Sequence, residues 1–385
     1  MGRRGQCFDA VRARFDRQSE GAADRIQALS IDIRMSDRPV RFARAVKDPV
    51  FKGKRAIAST PWEYVSLWLR QNNEGDASIY WRQAKNFFDA ARDLPAESAA
   101  LPLYYSFLNA TKALLEAKNI PYAPYHGVSG FDMRAGPHSR IRLENEGIKI
   151  KQGGVLPSLI SYFGEVETRK SYNLAEILSN LPFIHRAYAM SYGKREIYLS
   201  IERPRYVRAE GAQARFEADI PIEHSAGQVI RTFPASFRVR DLDEEEWDES
   251  HCESGIAVES VDTFAWSGSR RATDADIAAL CDFHRRIRLD IIYISGAKPV
   301  WYLKRNLSAY ENIRRNTLTM MFMAMHRVSE IARYKPVEFN KLLSSSRNWL
   351  IFEFIRVAQN QFIDEIAAEI TGLEVSPAGV RQSAF

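Results

Sequence analysis

The sequence LPLYYSFLNATKALLEAKNIPYAPYHGVSG, residues 101–130, decides the fold of this chain. Its first half has the period of an α-helix that is apolar around most of its circumference, and such a helix is typically buried. Four polar residues nevertheless recur at helical spacing and share one face: Tyr105, Asn109, Lys112 and Glu116. Because buried amides and ammonium groups need partners, we expect another segment, a ligand or solvent in a cleft to contact this face.

A loop rich in glycine and proline follows this helix and contributes His126. Histidine can transfer protons near neutral pH, lysine offers a point cation suited to phosphate, and asparagine both donates and accepts hydrogen bonds. We therefore predict a ligand pocket formed by Tyr105, Asn109, Lys112 and His126, with His126 as the candidate catalytic residue. The alternative is that Asn109 and Lys112 only brace the loop.

Helical patterns surround the stretch on both sides. Thr60-Pro61-Trp62-Glu63 predicts a helix start, with a Thr N-cap, proline at the first position and Glu63 closing a capping box. A second helix is predicted over residues 78–94. The helix that carries the polar stripe, formed by Tyr105, Asn109, Lys112 and Glu116, is expected to follow Pro102. Further helices are predicted over 156–163, 174–188, 312–333, 336–343 and 347–367.

Between these helical regions the hydrophobic period changes to that of short strands. The β-rich runs are residues 196–207, 214–222, 233–239, 255–260, 291–294 and 300–303, with short strands also expected at 141–143 and 148–150. Residues 295–299 are typical of a hairpin loop, and residues from Val375 onward are expected to form a frayed tail. The order helices, antiparallel strands, helices predicts an α+β protein.

We predict the following division of the chain: a basic, partly ordered leader (1–55), an N-terminal helical part with the Gly/Pro-rich loop (56–190), an antiparallel β-rich insert (191–305), C-terminal helices completing the helical domain (306–372) and a tail (373–385).

Composition restricts the class of protein. Hydrophobic residues make up 45% of the 385 residues and charged residues 26%, which is typical of a folded domain. No apolar run approaches the roughly 18 residues that span a bilayer, and no signal peptide is recognisable. Three cysteines are too few for a disulfide framework. The expected location is the cytoplasm.

The net charge of +6 is concentrated near the start of the chain. Residues 1–55 contain fourteen Lys or Arg and seven Asp or Glu, whereas the remaining residues contain 40 basic and 41 acidic groups. This leader is either an arm that contacts nucleic acid or another acidic partner, or a solvated extension.

Two separated segments resemble the YaaC-like family of bacterial proteins. They are IYWRQAKNFFDAARDLPAESAALPLYYSFLNATKALL (79–115), followed by YHGVSGF (125–131), and MFMAMHRVSEIARYKPVEF (321–339). The resemblance covers roughly residues 60–365. It implies paired helices ending in a Tyr-Tyr…Asn…Lys helix, a His-Gly, a β-rich middle and an Arg-Tyr-x-Pro helix, but it implies no reaction.

The same Tyr-Tyr…Asn…Lys helix also resembles the opening helices of HEPN domains, small helical modules common in prokaryotic RNA-targeting toxins and defence proteins. This likeness implies a HEPN-like helical core around which the N- and C-terminal segments pack. Nuclease versions carry an Arg at a defined distance before a His. None of the seven histidines has an Arg at that spacing, and Arg134 with His138 comes closest, with three residues between them.

The other candidate sites can also be explained by purely structural roles. Arg333 precedes a Tyr-Lys-Pro sequence that ends a helix by sterics, so its ligand-binding role competes with a purely structural one. His251, Cys252, Cys281 and His284 could form a zinc set, but the adjacent pair makes joint ligation awkward, and we predict no metal. No phosphate loop, dinucleotide fingerprint or nucleophile elbow occurs, so we predict no cofactor.

Basic clusters recur at 270–271, 285–288, 304–305 and 314–315, and they could form a surface for a nucleic-acid backbone. We therefore predict a HEPN-related protein that binds nucleic acid or a nucleotide in a prokaryotic defence or stress setting. The alternative is a non-catalytic scaffold whose β insert recruits a protein partner. A third hypothesis is a hydrolase of RNA or phosphoesters around His126. The sequence leaves the reaction, ligand, partner and oligomeric state, including a homo-oligomer, open.

Overall fold

Two large hydrophobic cores and a small third cluster of Ile197, Tyr198 and Ile292 lie within the part of the chain that the structure describes. The computed structural model describes residues 31–52, 56–134, 136, 142–221, 227–240, 254–268, 272–294, 300–344 and 349–377. One core is built from helices, and the other is built around an antiparallel β-sheet. The α+β class predicted from the sequence is therefore confirmed, while the HEPN-like character of the helical core stays a prediction.

The helices are α1 (Pro61–Gln71), α2 (Gly75–Ala91), α3 (Ala96–Ala117), α4 (Val155–Phe163), α5 (Leu174–Ser179), α6 (Pro182–Tyr192), α7 (Gly227–Ile230), α8 (Asp274–Ile287), α9 (Thr317–Tyr334), α10 (Pro336–Leu343) and α11 (Trp349–Thr371). The strands are β1 (Arg34–Met35), β2 (Arg38–Pro39), β3 (Ala56–Ala58), β4 (Val128–Asp132), β5 (Glu146–Ile150), β6 (Ser171–Asn173), β7 (Tyr198–Ala209), β8 (Gln213–Pro221), β9 (Phe237–Arg240), β10 (Ser254–Ser260), β11 (Phe264–Ala265), β12 (Ile291–Ile294), β13 (Val300–Lys304) and β14 (Val375–Pro377).

Helix α3, which carries the polar stripe, is the centre of the helical core. It packs against α2, α9 and α11, and the Phe107 ring stacks on Phe362 with centroids 3.9 Å apart. The helix starts at Ala96, so the expectation that it follows Pro102 is wrong. Proline removes one backbone donor from the first turns, but the surrounding packing keeps the helix continuous.

The main sheet has the strand order β12-β13-β7-β8-β10-β9, and each neighbouring pair is antiparallel. Alternate side chains of β8 enter the second core: Ala214, Phe216, Ala218 and Ile220. The side chains between them carry charge on the other face, where Arg205 of β7 pairs with Glu217 and Asp219. β12 and β13 pair as the predicted hairpin requires, although residues 295–299 lie outside the described residues.

A small sheet, β4-β5-β6, packs against α9 and carries the loop that contains His126. The sequence did not predict β4. The strand expected at 141–143 is also wrong for residues 142 and 143, because Leu143–Asn145 forms a 3-10 turn. Residue 141 lies outside the described residues.

Two helix or tail predictions need correction, and one helix was missed. The helix predicted over 174–188 is two helices, because Pro182 starts a new one and Asn180 bonds instead to the backbone of Glu311. Helix α8 was not predicted, although Thr273 and Asp276 form a capping box at its start. The expected frayed tail begins with β14, which pairs in parallel with β3, and residues 378–385 lie outside the described residues.

The described part of the leader, residues 31–52, packs on the β-sheet. Ile33, Met35, Val40 and Phe51 are buried in the second core. Asp32 forms an isolated bridge with Val207 of β7. Among the described residues, no helix combines the length and the apolar composition that crossing a membrane requires.

Candidate functional site

The polar stripe of α3 is largely satisfied by its own chain. Tyr105 stacks on Phe87 of α2, with ring centroids 5.3 Å apart. The Asn109 amide donates to the Tyr105 carbonyl at 2.8 Å, one turn back on the same helix. The Glu116 carboxylate accepts from the Tyr122 hydroxyl at 2.8 Å. Within the described residues, none of these three side chains hydrogen-bonds to His126.

Lys112 is the stripe residue that acts on His126. Its Nζ lies 5.3 Å from the centroid of the Tyr80 ring on α2. Its charge lowers the pKa of His126, after the larger effect of burial and together with the charge of Arg333. The structure therefore brings Lys112, Arg333 and His126 into one electrostatic neighbourhood, while Tyr105 and Asn109 face α2 and their own helix.

Tyr104, the neighbour of the predicted Tyr105, contacts His126 directly. Its hydroxyl oxygen lies 2.6 Å from Nδ1 of His126. Burial raises the pKa of Tyr104, so the phenol keeps its proton. A phenol can donate to an imidazole nitrogen or accept from it; we assign the phenol as the donor, and this assignment places the imidazole proton on Nε2.

His126 is half-buried, and its Nε2 forms no hydrogen bond with any described residue. The backbone around it is held firmly, because His126 O accepts from Leu156 N at 3.1 Å and Tyr125 O accepts from Val155 N at 2.9 Å. Gly154 precedes α4 with a φ of 114°, and a Cβ there would lie 2.6 Å from the Cα of Gly127. Glycine is required where these two backbones meet.

A second histidine, His326 of α9, belongs to the same cluster. Its ring centroid lies 5.0 Å from that of Tyr104 and 5.9 Å from that of His126. Burial lowers its pKa to about 3, so the ring is neutral at pH 7. Its Nδ1 is buried without a hydrogen-bond partner among the described residues, and Glu330 Oε2 lies 4.0 Å away.

A buried ion pair holds α9 against the small sheet beside the cluster. Arg327 donates to Glu146 of β5 at 2.6 Å and to Glu330 at 3.0 Å. A Cβ at Gly130 of β4 would lie 1.9 Å from Arg327 Nη1. The strand can lie this close to the helix because residue 130 has no side chain.

The charged groups that act on His126 are two cations, Lys112 and Arg333. Arg333 is exposed at the end of α9 with its guanidinium 4.8 Å from the Tyr334 ring. Neither Arg333 nor Lys112 forms an ion pair with a described residue. The described residues contain no group of three His, Cys, Asp or Glu side chains that could hold a metal ion. The arrangement can therefore offer one neutral imidazole N–H and two cations to a ligand.

The two described residues of the zinc site considered from the sequence, Cys281 and His284, do not form a metal site. His284 uses both ring nitrogens, because Nδ1 accepts from the Tyr206 hydroxyl at 2.5 Å and Nε2 donates to Ala45 O at 2.9 Å. Cys281 is a free, half-buried thiol. His251 and Cys252 lie outside the described residues, as does His138.

The predicted basic surface also requires correction. Arg288, Lys304, Arg305 and Arg315 are buried. Arg285 and Arg286 pair with Asp282, and Arg314 pairs with Asp290. Arg285 and Arg286 pair within their own helix and keep part of their side chains exposed, whereas the buried cations find partners on other segments, as Lys304 does with the Ile313 carbonyl. Residues 270 and 271 are outside the described part.

Tyr104 and His326 were missed from the sequence. Both were detectable by the criterion applied to the stripe, since each is a polar group within an apolar helix. His326 directly follows the apolar run MFMAM, residues 321–325, and Tyr104 directly precedes Tyr105, the tyrosine that we predicted. No periodicity could show which of two adjacent tyrosines turns toward the loop.

Comparison with known proteins gives one family. No curated protein and no solved structure matches the chain. A family model described as YaaC-like Protein matches residues 53–370, which is most of the chain. The matched range contains α3, α9 and the His126 loop, so it includes both signatures that carried the predicted resemblance. The chain therefore belongs to the YaaC-like family.

Proposed function

We propose that Tyr104, His126 and His326, together with Lys112 and Arg333, bind a phosphate group of a nucleotide or nucleic acid. The observation that carries this proposal is the half-buried His126 ring, whose Nε2 has no hydrogen-bond partner among the described residues and whose pKa is lowered by the charges of Lys112 and Arg333 as well as by burial. A phosphate offers several acceptor oxygens and negative charge, and hydrogen bonds to charged groups are stronger than neutral ones.

Ligand binding fits this geometry better than proton transfer. A general base needs an unprotonated nitrogen facing the substrate, but Tyr104 occupies Nδ1, and in the tautomer assigned above Nε2 carries the proton. His326 has a pKa of about 3 and is therefore a weak base. Hydrolysis of RNA or another phosphoester remains the first reaction to test, with His126→Ala as control.

Exposed aromatic rings support the nucleotide part of the proposal. Tyr125 is 56% exposed and directly precedes His126, while Tyr334 is 65% exposed and directly follows Arg333. Bases stack on such rings without regard to sequence. The defence or stress setting rests only on the HEPN likeness of α3, and it is part of the proposal.

The test is binding of a labelled single-stranded RNA and of ATP by fluorescence polarisation over a KCl series. We expect Lys112→Ala and Arg333→Ala each to weaken binding about tenfold, because each removes a charge-assisted contact. Each should also reduce the slope of log Kd against log salt by about one unit.

Arg356→Ala is the matched control, since Arg356 is an exposed arginine on α11 outside the cluster. It should leave the affinity and the salt slope unchanged. Absence of binding at low salt, or binding that Lys112→Ala leaves intact, would reject the proposal.

A second candidate function is the scaffold. It is favoured by the observation that Tyr105, Asn109 and Glu116 already find partners within the chain. In that case the β insert would recruit a protein partner, and pull-down would recover a complex that is insensitive to Lys112→Ala. Replacing Arg238 by Glu on the charged sheet face should weaken that complex, because Arg238 is the exposed partner of Glu259.

A further inference from the structure

The small sheet β4-β5-β6 ends in β4, a strand that pairs with another strand on one side only. Met133 N donates to Asn145 O at 2.9 Å, just past the end of β4. In an antiparallel ladder only alternate residues bond to the neighbouring strand, so this bond fixes which residues of β4 face β5. The N–H and C=O groups of Gly130 and Asp132 therefore point away from β5, toward the outer edge of the sheet.

This outer edge has no partner within the part of the chain that the structure describes. The outward backbone groups of Gly130 and Asp132 form no hydrogen bond with a described residue. Helix α9 lies on one face of the strand, since a Cβ at Gly130 would lie 1.9 Å from Arg327 Nη1. The end of the strand is open to solvent, because Asp132 and the following Met133 are exposed.

The face of β4 turned away from α9 carries apolar side chains that reach solvent. The Phe131 ring lies against β5, where a Cβ at Gly147 would come within 2.6 Å of it. Phe131 is nevertheless 37% exposed and Met133 is 46% exposed. Both side chains lie on this face, because alternate residues of a strand point to the same side. The open edge is therefore bordered by apolar surface.

Strand β4 lacks the features that normally protect an edge from pairing with another chain. β9, at the end of the main sheet, carries Arg238 and Arg240, and β6, the other edge of the small sheet, has only three residues. β4 has five residues, pairs with β5 without a register shift and contains no proline, lysine or arginine. Its one charged residue, Asp132, pairs with Arg134 and with Lys335. The edge therefore offers a partner backbone donors and acceptors and no unbalanced charge from Asp132.

We propose that β4 pairs edge to edge with β4 of a second copy of this chain, around a two-fold axis. The second copy carries the same outward donors and acceptors and the same apolar border, so the two edges are complementary. The antiparallel register that places Asp132 opposite itself is disfavoured, because like charges directly opposite destabilise a sheet.

The register that fits best places Phe131 of one copy opposite Phe131 of the other. It pairs two aromatic rings, and it lets Gly130 of each copy exchange hydrogen bonds with Asp132 of the other. The interface uses no residue of the His126 cluster, so this inference and the proposed function are tested separately.

The test is sedimentation velocity on the full chain over a series of protein concentrations. We expect a dimer, with twice the 44.0 kDa mass of one chain, that dissociates on dilution. Phe131→Lys should raise the dissociation constant at least about tenfold, because it replaces the aromatic pair by two like charges at the edge. Met190→Lys is the matched control, since Met190 is a 73% exposed apolar residue on α6, and it should leave the dimer unchanged.

Two variants at one position distinguish backbone pairing from side-chain contacts. Asp132→Ala removes the carboxylate and keeps the outward N–H, whereas Asp132→Pro removes both. Only Asp132→Pro should weaken the dimer, and the thermal midpoints of the two variants show whether each one folds.

Cysteine crosslinking tests the register even if the proline variant does not fold. In a chain whose three native cysteines are replaced by serine, Phe131→Cys should form a disulfide between copies on mild oxidation, because opposite residues of a non-hydrogen-bonded pair lie close enough. Met133→Cys should not, since Met133 lies opposite Ser129 of the other copy in this register. Crosslinking through Met133→Cys in place of Phe131→Cys would overturn the proposed pairing.

Three sedimentation results would also overturn it. A monomer at every concentration would mean that the edge is occupied by its own chain, by a different partner or by water. A dimer that Phe131→Lys and Asp132→Pro both leave intact would place the interface elsewhere. Assemblies that grow beyond a dimer would contradict two-fold pairing, which closes after two copies.

Discussion

Replacement of Arg315 by Met tests whether the buried ion pair before α9 holds the helical core together. Arg315 and Glu165 have side chains that are 0% and 1% exposed, with Nη1 2.6 Å from Oε2. Arg315 also donates to the Tyr172 hydroxyl at 2.8 Å and to two backbone carbonyls, those of residues 167 and 169. Methionine keeps the unbranched stem of the side chain, which ends before the guanidinium position, and removes all of these donors.

The expected cost is about 3–5 kcal/mol of unfolding free energy, because one partner of a buried pair is left without its counter-charge. For a chain of this length, that corresponds to a fall of roughly 4–6 °C in the thermal midpoint. Burial already raises the pKa of Glu165, and Arg315 opposes that effect. Without Arg315 the carboxyl pKa rises further, so the cost should shrink as the pH falls and Glu165 takes up a proton.

Urea unfolding followed by circular dichroism measures the effect, and the neighbouring residue supplies the control. Arg314 is 45% exposed and pairs with Asp290 at 3.1 Å, so Arg314→Ala should cost no more than about 1 kcal/mol. The double variant Glu165→Gln with Arg315→Met should be more stable than Arg315→Met alone. If Arg315→Met cost as little as Arg314→Ala, the account of this pair as a buried anchor would be wrong.

Three further predictions concern the His126 loop and the buried histidines. Tyr104→Phe removes the donor to neutral His126, so the pKa of His126 should rise in an NMR titration of the histidines. An unchanged or lower pKa would contradict the assigned tautomer. Burial lowers the pKa of His284 to about 3, so the unfolded state binds the extra proton and unfolding free energy should fall from about pH 6.5 downward; His284→Gln should flatten that slope in urea titrations. Gly154→Ala should cost more than about 2 kcal/mol, since φ is 114° and a Cβ meets backbone, whereas Gly75→Ala in open space should stabilise by up to about 1 kcal/mol; equal thermal midpoints would refute this.

The spacing of hydrophobic residues was sufficient to predict the class of fold. Buried side chains recur about every 3.6 residues along a helix and at every second residue along a strand, so the two patterns can be told apart. This spacing located the start of α1, the end of α9 and the hairpin strands β12 and β13 to within a few residues. It missed the start of α3, which is Ala96 and not after Pro102, and the start of α9, which is Thr317 and not residue 312. It failed where pairing at long range decides the structure. β14 consists of three residues whose partner, β3, lies more than 300 positions earlier, and no local pattern could show that pairing.

Charge was the less reliable signal, because a charged side chain does not reveal whether its partner is water or another residue. Lys304 was expected on a basic surface, yet it is buried and donates to Ile313 O at 2.7 Å. Arg315 was assigned to the same surface, yet its side chain is 0% exposed and pairs with Glu165 just before α9 starts. Such residues become predictable only once the carboxylates and carbonyls of distant elements have been placed.

The spacing that singled out α3 also occurs on α9, and this repetition identifies the candidate site. Tyr105, Asn109 and Lys112 stand at i, i+4 and i+7, and so do His326, Glu330 and Arg333. Positions with this spacing share one helix face. On α3 most of the stripe is satisfied locally, and on α9 Glu330 pairs with Arg327. What remains is Lys112 from one helix and Arg333 from the other, and both act on His126. One polar stripe can be a brace between neighbours. Two stripes whose cations form no ion pair with a described residue, and whose charges both act on one imidazole, are the arrangement on which our proposal of an anionic ligand rests.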